Sequence, residues 1–178
     1  FPSMPICFWN DHKEEQYYRS YFDKYKNIWT HGDFIEINNH EGVIVYGRSD
    51  ATLNPNGIRI GTSEIYSAIE SILEIDDSVA INSNLKDEYV LFVKLIDNKY
   101  LNQKLVDTIN LEIRNNLSPK HLPSKVVQVK DVPYTLNGKK VELAIKNIFD
   151  GKDIQNLDSI SNPECLDEYY EKIIWIKY

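Results

Sequence analysis

The chain has few side chains of the kind that bind metals or form disulfides. Its 178 residues include two cysteines and four histidines. Cys7 and Cys165 lie far apart, and the histidines are scattered over positions 12, 31, 40 and 121. Because zinc sites need closely spaced ligands, we expect no metal site built from protein side chains, and two free thiols.

A surplus of positive charge and long apolar runs are also absent. The chain has 20 basic and 27 acidic residues, a formal net charge of -7, so it lacks the overall charge that attracts nucleic acid. No apolar run approaches the roughly 20 residues of a membrane-spanning helix, and the first residues lack the pattern of a signal peptide. We therefore expect a cytoplasmic protein that holds any phosphate-bearing ligand by local charge.

What the sequence does contain is enough apolar material for a core in one or two domains, with 42% hydrophobic and 12% aromatic residues. Residues 34–37 and 42–46 are predicted to form two short strands joined by a turn at 38–42. An isolated hairpin of two strands is marginally stable in water. Residues 1–49 are therefore interpreted as the incomplete, β-rich end of a larger domain.

Residues 50–151 alternate between helical and strand patterns, which predicts a compact α+β module with a mixed sheet. Strands are predicted at 58–60, 79–81, 90–96 and 126–129. A first helix is capped by Thr62 or Ser63, with apolar positions at 65, 69, 72 and 73 on one face. A second contains positions 105, 109 and 113 and ends near Pro119, and a third contains 141, 145 and 148 and is closed by Gly151.

The last segment, residues 152–178, is acidic at first and then aromatic. Its apolar side chains follow the spacing of an amphipathic helix. They are Leu166, Tyr169, Tyr170, Ile173, Ile174 and Trp175. We treat this segment as a carboxyl-terminal tail.

Several short motifs carry a resemblance to a known family. They are FPSMP at 1–5, FWND at 8–11, WTHGD at 29–33, the stretch 47–66 with DATLNP at 50–55, and YTLNGKKVE at 134–142. Together they resemble the acyl-adenylate-forming enzymes and, more narrowly, the acetoacetate–CoA ligases, also called acetoacetyl-CoA synthetases. The resemblance runs to about residue 151, with a weaker match at 162–164. It implies the carboxyl-terminal portion of such an enzyme, because neither the Ser/Thr/Gly-rich phosphate loop nor the acid pocket of its larger amino-terminal domain is found here.

The resemblance implies a reaction and a moving part. ATP and a carboxylic acid, acetoacetate in the narrower family, give an acyl-AMP, and coenzyme A then attacks to form the thioester. Mg²⁺ would be bound through the phosphates rather than by a protein cage. Residues 50–151 would be the small mobile domain, turning about a hinge at Asp50 against an amino-terminal domain that this chain lacks. The alternative for Asp50 is a simple turn residue, and contacts by Ala51 and Asn54 stay open because many relatives carry other residues there.

The resemblance also implies ligand contacts for five residues. Asp33 and Arg48 match the pair that holds the ribose hydroxyls of ATP or AMP. Gly57 and Arg59 match the loop that lines the pantetheine tunnel, and Arg114 matches an arginine on a coenzyme A phosphate. The alternatives are a Gly–Asp turn and a solvated arginine, a turn glycine with positive φ, and a solvated helix face.

Lys139 is the candidate catalytic residue. In the family, the matching lysine contacts the acyl carboxylate and the α-phosphate during adenylation. The alternative is a solvated lysine beside an Asn-Gly hairpin turn, and Lys140 is the less favoured of the pair. Residues 42–49 also resemble a Walker-type phosphate loop. Their β-branched and aromatic side chains predict a strand instead, so we discard that motif.

Three functions follow from these patterns. The first is the carboxyl-terminal portion of a ligase that forms acetoacetyl-CoA through acetoacetyl-AMP, with the fragment alone inactive. The second is a non-catalytic nucleotide- or CoA-binding or regulatory remnant of the same fold. The third is a ligase for another carboxylic acid, such as acetate or a fatty acid, since the acid pocket is not in this chain.

Overall fold

The computed structural model describes residues 2–83, 88–154 and 156–177. They form two compact units, Phe1–Asp33 and Phe34–Tyr178. The first unit is held together by aromatic rings around helix α1 (Glu15–Tyr21), none of whose residues is buried. The Tyr21 ring stacks on Trp29 with 3.8 Å between ring centroids, and the Tyr17 hydroxyl donates to the Pro5 carbonyl at 2.9 Å. Aromatic pairing thus takes the place of an aliphatic core in this unit.

The next part of the chain forms the expected hairpin. Strand β1 (Asp33–Ile37) pairs with β2 (Val43–Arg48) in a two-stranded sheet. At the turn, the Asn38 carboxamide oxygen accepts from the backbone N–H groups of His40 and Gly42, both at 2.9 Å. Residues 42–49 therefore carry a strand, as the sequence predicted, and not a phosphate loop.

A three-stranded mixed sheet forms the centre of the second unit. Its order is β3 (Ile75–Ser83), β4 (Glu88–Leu95) and β5 (Lys125–Val129), with β4 antiparallel to β3 and parallel to β5. Strand β4 is the middle strand and is buried on both faces, which explains its nearly continuous apolar sequence. The α+β class with a mixed sheet is confirmed.

Helices cover both faces of this sheet. On one face, α2 (Thr62–Ile69) and α3 (Gln103–Asn116) pack with Leu91 and Val93 into one apolar cluster. On the other face, α4 (Glu142–Asp150) and α5 (Leu166–Lys177) pack with Val90 and Phe92 into a second. Among the residues the structure describes, no helix is long and apolar enough to cross a membrane.

Two local predictions in this unit are wrong. Residues 58–60 are not a strand: Ile60 makes a single bridge to Leu53, because Pro55–Gly57 forms a turn of 3-10 helix just before it. Helix α2 is not capped by Thr62 or Ser63. Instead, the Glu64 carboxylate accepts from the Gly61 N–H at 2.7 Å.

Helical spacing also misplaced some apolar side chains. Leu73 is 85% exposed because α2 ends at Ile69, so the helical period no longer applies to it. The helix predicted in the tail is confirmed as α5, and it is amphipathic. Its buried residues include Leu166, Tyr169 and Ile173, whereas Tyr170, Ile174 and Trp175 are exposed. The segment after Gly151 is therefore part of the second core and not a loose appendage.

Candidate functional site

Lys139, the candidate catalytic residue, lies on a tight turn in the segment between β5 and α4. Tyr134 and Lys140 form an antiparallel bridge. Within the turn, the Thr135 N–H donates to the Lys139 carbonyl and the Gly138 N–H donates to the Thr135 carbonyl, both at 2.8 Å. Gly138 has φ +71°, a left-handed conformation that suits glycine. The Asn-Gly turn predicted from the sequence is confirmed.

Lys139 presents its ammonium group to solvent from this turn. Its backbone N–H donates to the Thr135 hydroxyl at 3.1 Å, and the residue is exposed. Within residues 2–83, 88–154 and 156–177, the ammonium has no hydrogen-bond or ion-pair partner. The backbone of the turn is held by hydrogen bonds, whereas the ammonium group of Lys139 at its tip is accessible to a ligand.

Lys140 has the opposite surroundings. Its ammonium lies 2.6 Å from a carboxylate oxygen of Asp77 and donates to the Ser78 carbonyl at 2.7 Å. It also lies 4.1 Å from the centroid of the Tyr66 ring, a cation–π contact. Its side chain is 23% exposed. Because these contacts already satisfy the charge, Lys140 is poorly suited to bind a ligand.

Two further groups complete the surroundings of Lys140. The Tyr134 hydroxyl donates to the second oxygen of Asp77 at 2.5 Å, and the Tyr66 hydroxyl donates to Glu142 at 2.7 Å. Burial, followed by the hydrogen bond to Asp77, raises the pKa of Tyr134. Burial also raises the pKa of Glu142, although hydrogen bonds from Tyr66 and Thr62 oppose the shift. We call Tyr66, Asp77, Tyr134, Lys140 and Glu142 the clamp.

The other side of the turn is braced by the segment that precedes α5. Thr135 forms a bridge with Ile160, and the Leu136 N–H donates to the Ser159 carbonyl at 3.0 Å. The Asn162 side chain accepts from the Tyr134 N–H at 3.0 Å and donates to Val132 at 2.9 Å. Residues 159–162 are therefore a structural support for the turn.

Sequence reasoning missed the clamp and the support from residues 159–162, although one local signal was available. Successive side chains in a hairpin point to opposite sides, so Lys139 and Lys140 could not share one environment. The partners Asp77 and Tyr66 lie far away in sequence, and no local pattern links them to the turn.

The predicted ribose-binding residues lie on the hairpin. Asp33 begins β1 and has an oxygen 2.8 Å from His31 Nδ1. Arg48 ends β2 and contacts the predicted hinge residue Asp50, with donor–acceptor distances of 3.3 and 3.2 Å. The Arg48 and Asp50 side chains are 54% and 48% exposed. An ion pair this exposed contributes little to stability.

The predicted coenzyme A residues are open to solvent. Gly57 has φ +79°, and an added Cβ would meet no atom within 4 Å. Arg59 is exposed just after it, and Arg114 is exposed in the last turn of α3. Among the described residues, no hydrogen bond or ion pair joins Gly57, Arg59, Arg114 and Lys139 to one another. Of the predicted site residues, the structure brings Arg48 and Asp50 into contact.

Neither cysteine is placed for chemistry with a metal. Across the described ranges, no group of three or more His, Cys, Asp or Glu side chains could hold a metal ion. Cys7 is a free, exposed thiol. Cys165 is free and partly buried, and burial followed by the charges of Asp131 and Glu164 raises its pKa to about 12. The Cys165 thiol is therefore a poor nucleophile at neutral pH.

Comparisons with known sequences point to one group of enzymes. No protein-family model matches the chain. An acetoacetyl-coenzyme A synthetase of Rhizobium meliloti (strain 1021) is 44% identical over 169 residues, which cover 94% of this chain and 26% of that protein. An acetoacetyl-CoA synthetase of Caenorhabditis elegans is 44% identical over 176 residues, covering 96% of this chain and 25% of that protein. The chain spans about a quarter of the length of these relatives.

Solved structures agree. The acetoacetyl-CoA synthetase of Streptomyces lividans superposes with a TM-score of 0.89 at 40% identity, over 97% of this chain and 27% of that one. ATP-bound MatB from Rhodopseudomonas palustris has a TM-score of 0.64 at 18% identity, over 81% of this chain and 28% of that one, and shows the same fold. By sequence and by fold, the chain is homologous to the carboxyl-terminal portion of the acetoacetyl-CoA synthetases, which are adenylate-forming ligases.

Proposed function

We propose that the chain is the carboxyl-terminal portion of an ATP-dependent ligase that forms acetoacetyl-CoA from acetoacetate and coenzyme A through acetoacetyl-AMP. The observation that carries the proposal is the contrast between two neighbouring lysines. Lys140 is held by Asp77, Ser78 and Tyr66. Lys139 is exposed at the tip of the same turn and is unpartnered within the described part of the chain.

Lys139 acts in the first half-reaction. The acetoacetate carboxylate attacks the α-phosphate of ATP, giving acetoacetyl-AMP and pyrophosphate. Negative charge builds up around phosphorus, and the ammonium group of Lys139 neutralises it while contacting the carboxylate. A compact charge on a flexible stem suits two partners that move during the step better than a rigid guanidinium does.

The other predicted residues bind the substrates. Asp33 and Arg48 hold the ribose hydroxyls, and the Arg48 side chain, which is 54% exposed, is accessible for that contact. Gly57 and Arg59 line the pantetheine arm of coenzyme A, and the open space around Gly57 permits that approach. Arg114 contacts a coenzyme A phosphate from the exposed end of α3.

In this proposal the phosphates of ATP, and not side chains of this chain, would hold Mg²⁺. Among the described residues, no group of three or more His, Cys, Asp or Glu side chains could hold a metal ion. The cation would neutralise phosphate charge. Lys139 contributes its own charge beside it.

The second half-reaction requires Lys139 to leave. Residues 50–151 rotate about Asp50 against the larger amino-terminal domain, so that the coenzyme A thiol reaches the acyl-AMP and expels AMP. In this scheme residues 1–49 end the larger domain, and the tail, residues 152–178, moves with residues 50–151 because α5 packs in their second apolar cluster. A cytoplasmic location stays a prediction.

The test is a full-length enzyme in which residues 1–178 replace the matching quarter of the Streptomyces lividans synthetase. We expect acetoacetate-dependent release of pyrophosphate and formation of acetoacetyl-CoA. Lys139→Ala should slow pyrophosphate release by at least about a hundredfold, because comparable electrostatic groups contribute roughly 3 kcal/mol or more to such steps. Thioester formation from supplied acetoacetyl-AMP should stay within a few-fold of wild type.

Lys120→Ala, a change of an exposed lysine outside the site, is the control and should leave both half-reactions unchanged. A folded wild-type enzyme that makes no acetoacetyl-AMP would overturn the proposal, as would a Lys139→Ala variant with the full rate of adenylation. Binding of ATP or coenzyme A without turnover would instead favour the non-catalytic module. Acetate and a fatty acid need a substrate panel on the enzyme that carries this chain's own amino-terminal domain, because the acid pocket is expected there and in the chimera it comes from the Streptomyces synthetase.

A further inference from the structure

Both ends of the Lys139 turn converge on one carboxylate. Tyr134 and Lys140 face each other across the bridge that closes the turn. Their side chains contact the two oxygens of Asp77, Tyr134 at 2.5 Å and Lys140 at 2.6 Å. Asp77 is part of β3, in the central sheet. The base of the turn is therefore attached to strand β3 of the central sheet by two side-chain contacts.

Lys140 extends this fastening to a second element. Besides Asp77, its ammonium contacts the Ser78 carbonyl of β3 and the ring face of Tyr66 in α2. Tyr66 is fixed in turn, since its hydroxyl donates to Glu142 and accepts from the Ala80 N–H at 3.1 Å. Side chains whose rotamers are locked in this way hold a neighbouring group more accurately than flexible ones do.

The burial of the ion pair makes the arrangement hard to replace. Lys140 and Asp77 are only 23% and 17% exposed. In such a place, removing one partner leaves the other charge poorly solvated, so the pair stays closed. A solvated lysine at the same position would leave the turn with the Tyr134–Asp77 hydrogen bond and the support from residues 159–162, but without its contacts to Ser78 and Tyr66.

We propose that Lys140 is a positioning residue for the adenylation step: through Asp77 and Tyr66 it fixes the turn to β3 and α2, and so sets where Lys139 stands on the module. This inference rests on the proposed function. When the module rotates, Lys139 moves together with the central sheet, so the turn needs no separate conformational change to position it. Displacement of a reacting group by about 1 Å can reduce the rate about a hundredfold, so a fixed base has a measurable effect.

The first arm of the test uses the full-length enzyme described above, with Lys140→Met. We expect adenylation to slow by about a hundredfold with the KM for ATP nearly unchanged. Thioester formation from supplied acetoacetyl-AMP should be unaffected. Because Lys140 acts through Lys139, the double variant Lys139→Ala/Lys140→Met should be no slower than Lys139→Ala alone.

Matched variants separate positioning from general damage. Lys140→Arg keeps the charge and should recover part of the lost rate. Lys172→Met removes a lysine that is paired with Glu168 on α5, away from the turn, and should behave as wild type. Equal losses in both half-reactions would show that Lys140 matters only for folding, and additive losses in the double variant would show that it acts independently of Lys139. Either result would overturn the inference.

The second arm needs no substrate. Hydrogen exchange of the 178-residue chain should show faster exchange at the amides of Gly138 and Lys139 in Lys140→Met, with α3 as the internal reference. If those amides and the adenylation rate both stay as in wild type, the positioning role is refuted while the proposed function stands. An inactive wild-type enzyme refutes the proposed function itself, and the exchange data then report the clamp alone.

Discussion

Lys139 and Lys140 have identical side chains on adjacent residues, yet the fold gives them different surroundings. Alternation along a hairpin is enough to predict that they point to opposite sides of the turn. It does not say which side is buried, because that depends on β3 and α2, whose Asp77 and Tyr66 supply the contacts. Motif resemblance selected Lys139 from the sequence, whereas the partners of Lys140 required the tertiary structure.

The predicted cap of helix α2 was wrong because of the side chain of a single neighbouring residue. Thr62 and Ser63 both have side chains that commonly cap helices, but Glu64 provides the bond to Gly61. A hydroxyl cap and a carboxylate that accepts from the backbone N–H before the helix are alternatives at the first turn of a helix, and the sequence alone does not show which one forms. The Ser63 hydroxyl donates instead to the Tyr46 carbonyl at 2.8 Å, a contact outside the helix.

Glu142 should make the stability of the chain depend on pH. Burial raises its pKa above the ordinary value of 4.5, so the folded chain keeps this proton to a higher pH than the unfolded chain does. The contribution to the free energy of unfolding is therefore complete below pH 4.5 and is lost as the pH rises through the folded-state pKa. Glu142→Gln stays neutral and should lack this loss.

Urea denaturation of wild type and Glu142→Gln at a series of pH values, from below the ordinary pKa up to neutrality, measures the effect. The stability of the variant relative to wild type should increase across that range. Glu171→Gln, on the exposed side of α5, is the control. A difference between wild type and Glu142→Gln that does not change with pH would contradict the expectation.

Among the elements, long and strongly patterned ones were predictable and short ones were not. Strand β4 and helices α3 and α4 follow from apolar runs and helical spacing over many residues. The segment 58–60 is too short to carry a pattern, and the preceding Asn-Pro-Asn-Gly turn decided its conformation. The pairing of β5 with β4 in parallel was likewise beyond the sequence, since the two strands are separated by all of α3.

Hairpin β1–β2 meets α2 at a contact that only glycine permits. A Cβ on Gly61 would overlap the carbonyl oxygen of Tyr46. Gly61→Ala should therefore push β2 away from α2 and lower the free energy of unfolding by about 3 kcal/mol, the upper range for overpacking. Proteolysis within residues 34–48 should become faster at the same time.

Gly151→Ala is the matched control for this change. Gly151 has a left-handed φ of +69°, whereas Gly61 has a φ of -72°, and an added Cβ at Gly151 meets no atom within 4 Å. Its cost should be limited to backbone strain, about 1 kcal/mol. Urea denaturation compares the two variants, and a smaller loss for Gly61→Ala than for Gly151→Ala would refute the steric explanation.

At the scale of the whole molecule, two apolar clusters share one thin sheet. The second cluster is completed by α5, with Tyr169 and Ile173 buried beside Phe92. Composition predicted a core of useful size, but not its division into two clusters. Composition and periodicity also said nothing of the acid pocket, and the resemblance implies that this pocket belongs to another part of a ligase.

The isolated chain should therefore not turn over. Incubation of the 178 residues with acetoacetate, ATP and coenzyme A is expected to give neither AMP nor acetoacetyl-CoA above background. The reason is that, in the proposed function, Lys139 would act on a transition state that the larger amino-terminal domain would hold in place. Circular dichroism confirms that the sample is folded, and robust production of AMP and thioester would contradict the prediction.

The Asn137-Gly138 pair in the turn has a chemical consequence over time. Asparagine before glycine is prone to deamidation, since the unhindered glycine nitrogen attacks the side-chain carbonyl, expels ammonia and leaves an imide that water opens to aspartate or isoaspartate. Here the Gly138 N–H is engaged by the Thr135 carbonyl at 2.8 Å, so cyclisation must wait until the turn opens. The hydrogen bonds that hold the Lys139 turn in place therefore also slow the deamidation of Asn137. Mass spectrometry of stored samples should find faster deamidation in Lys140→Met than in wild type.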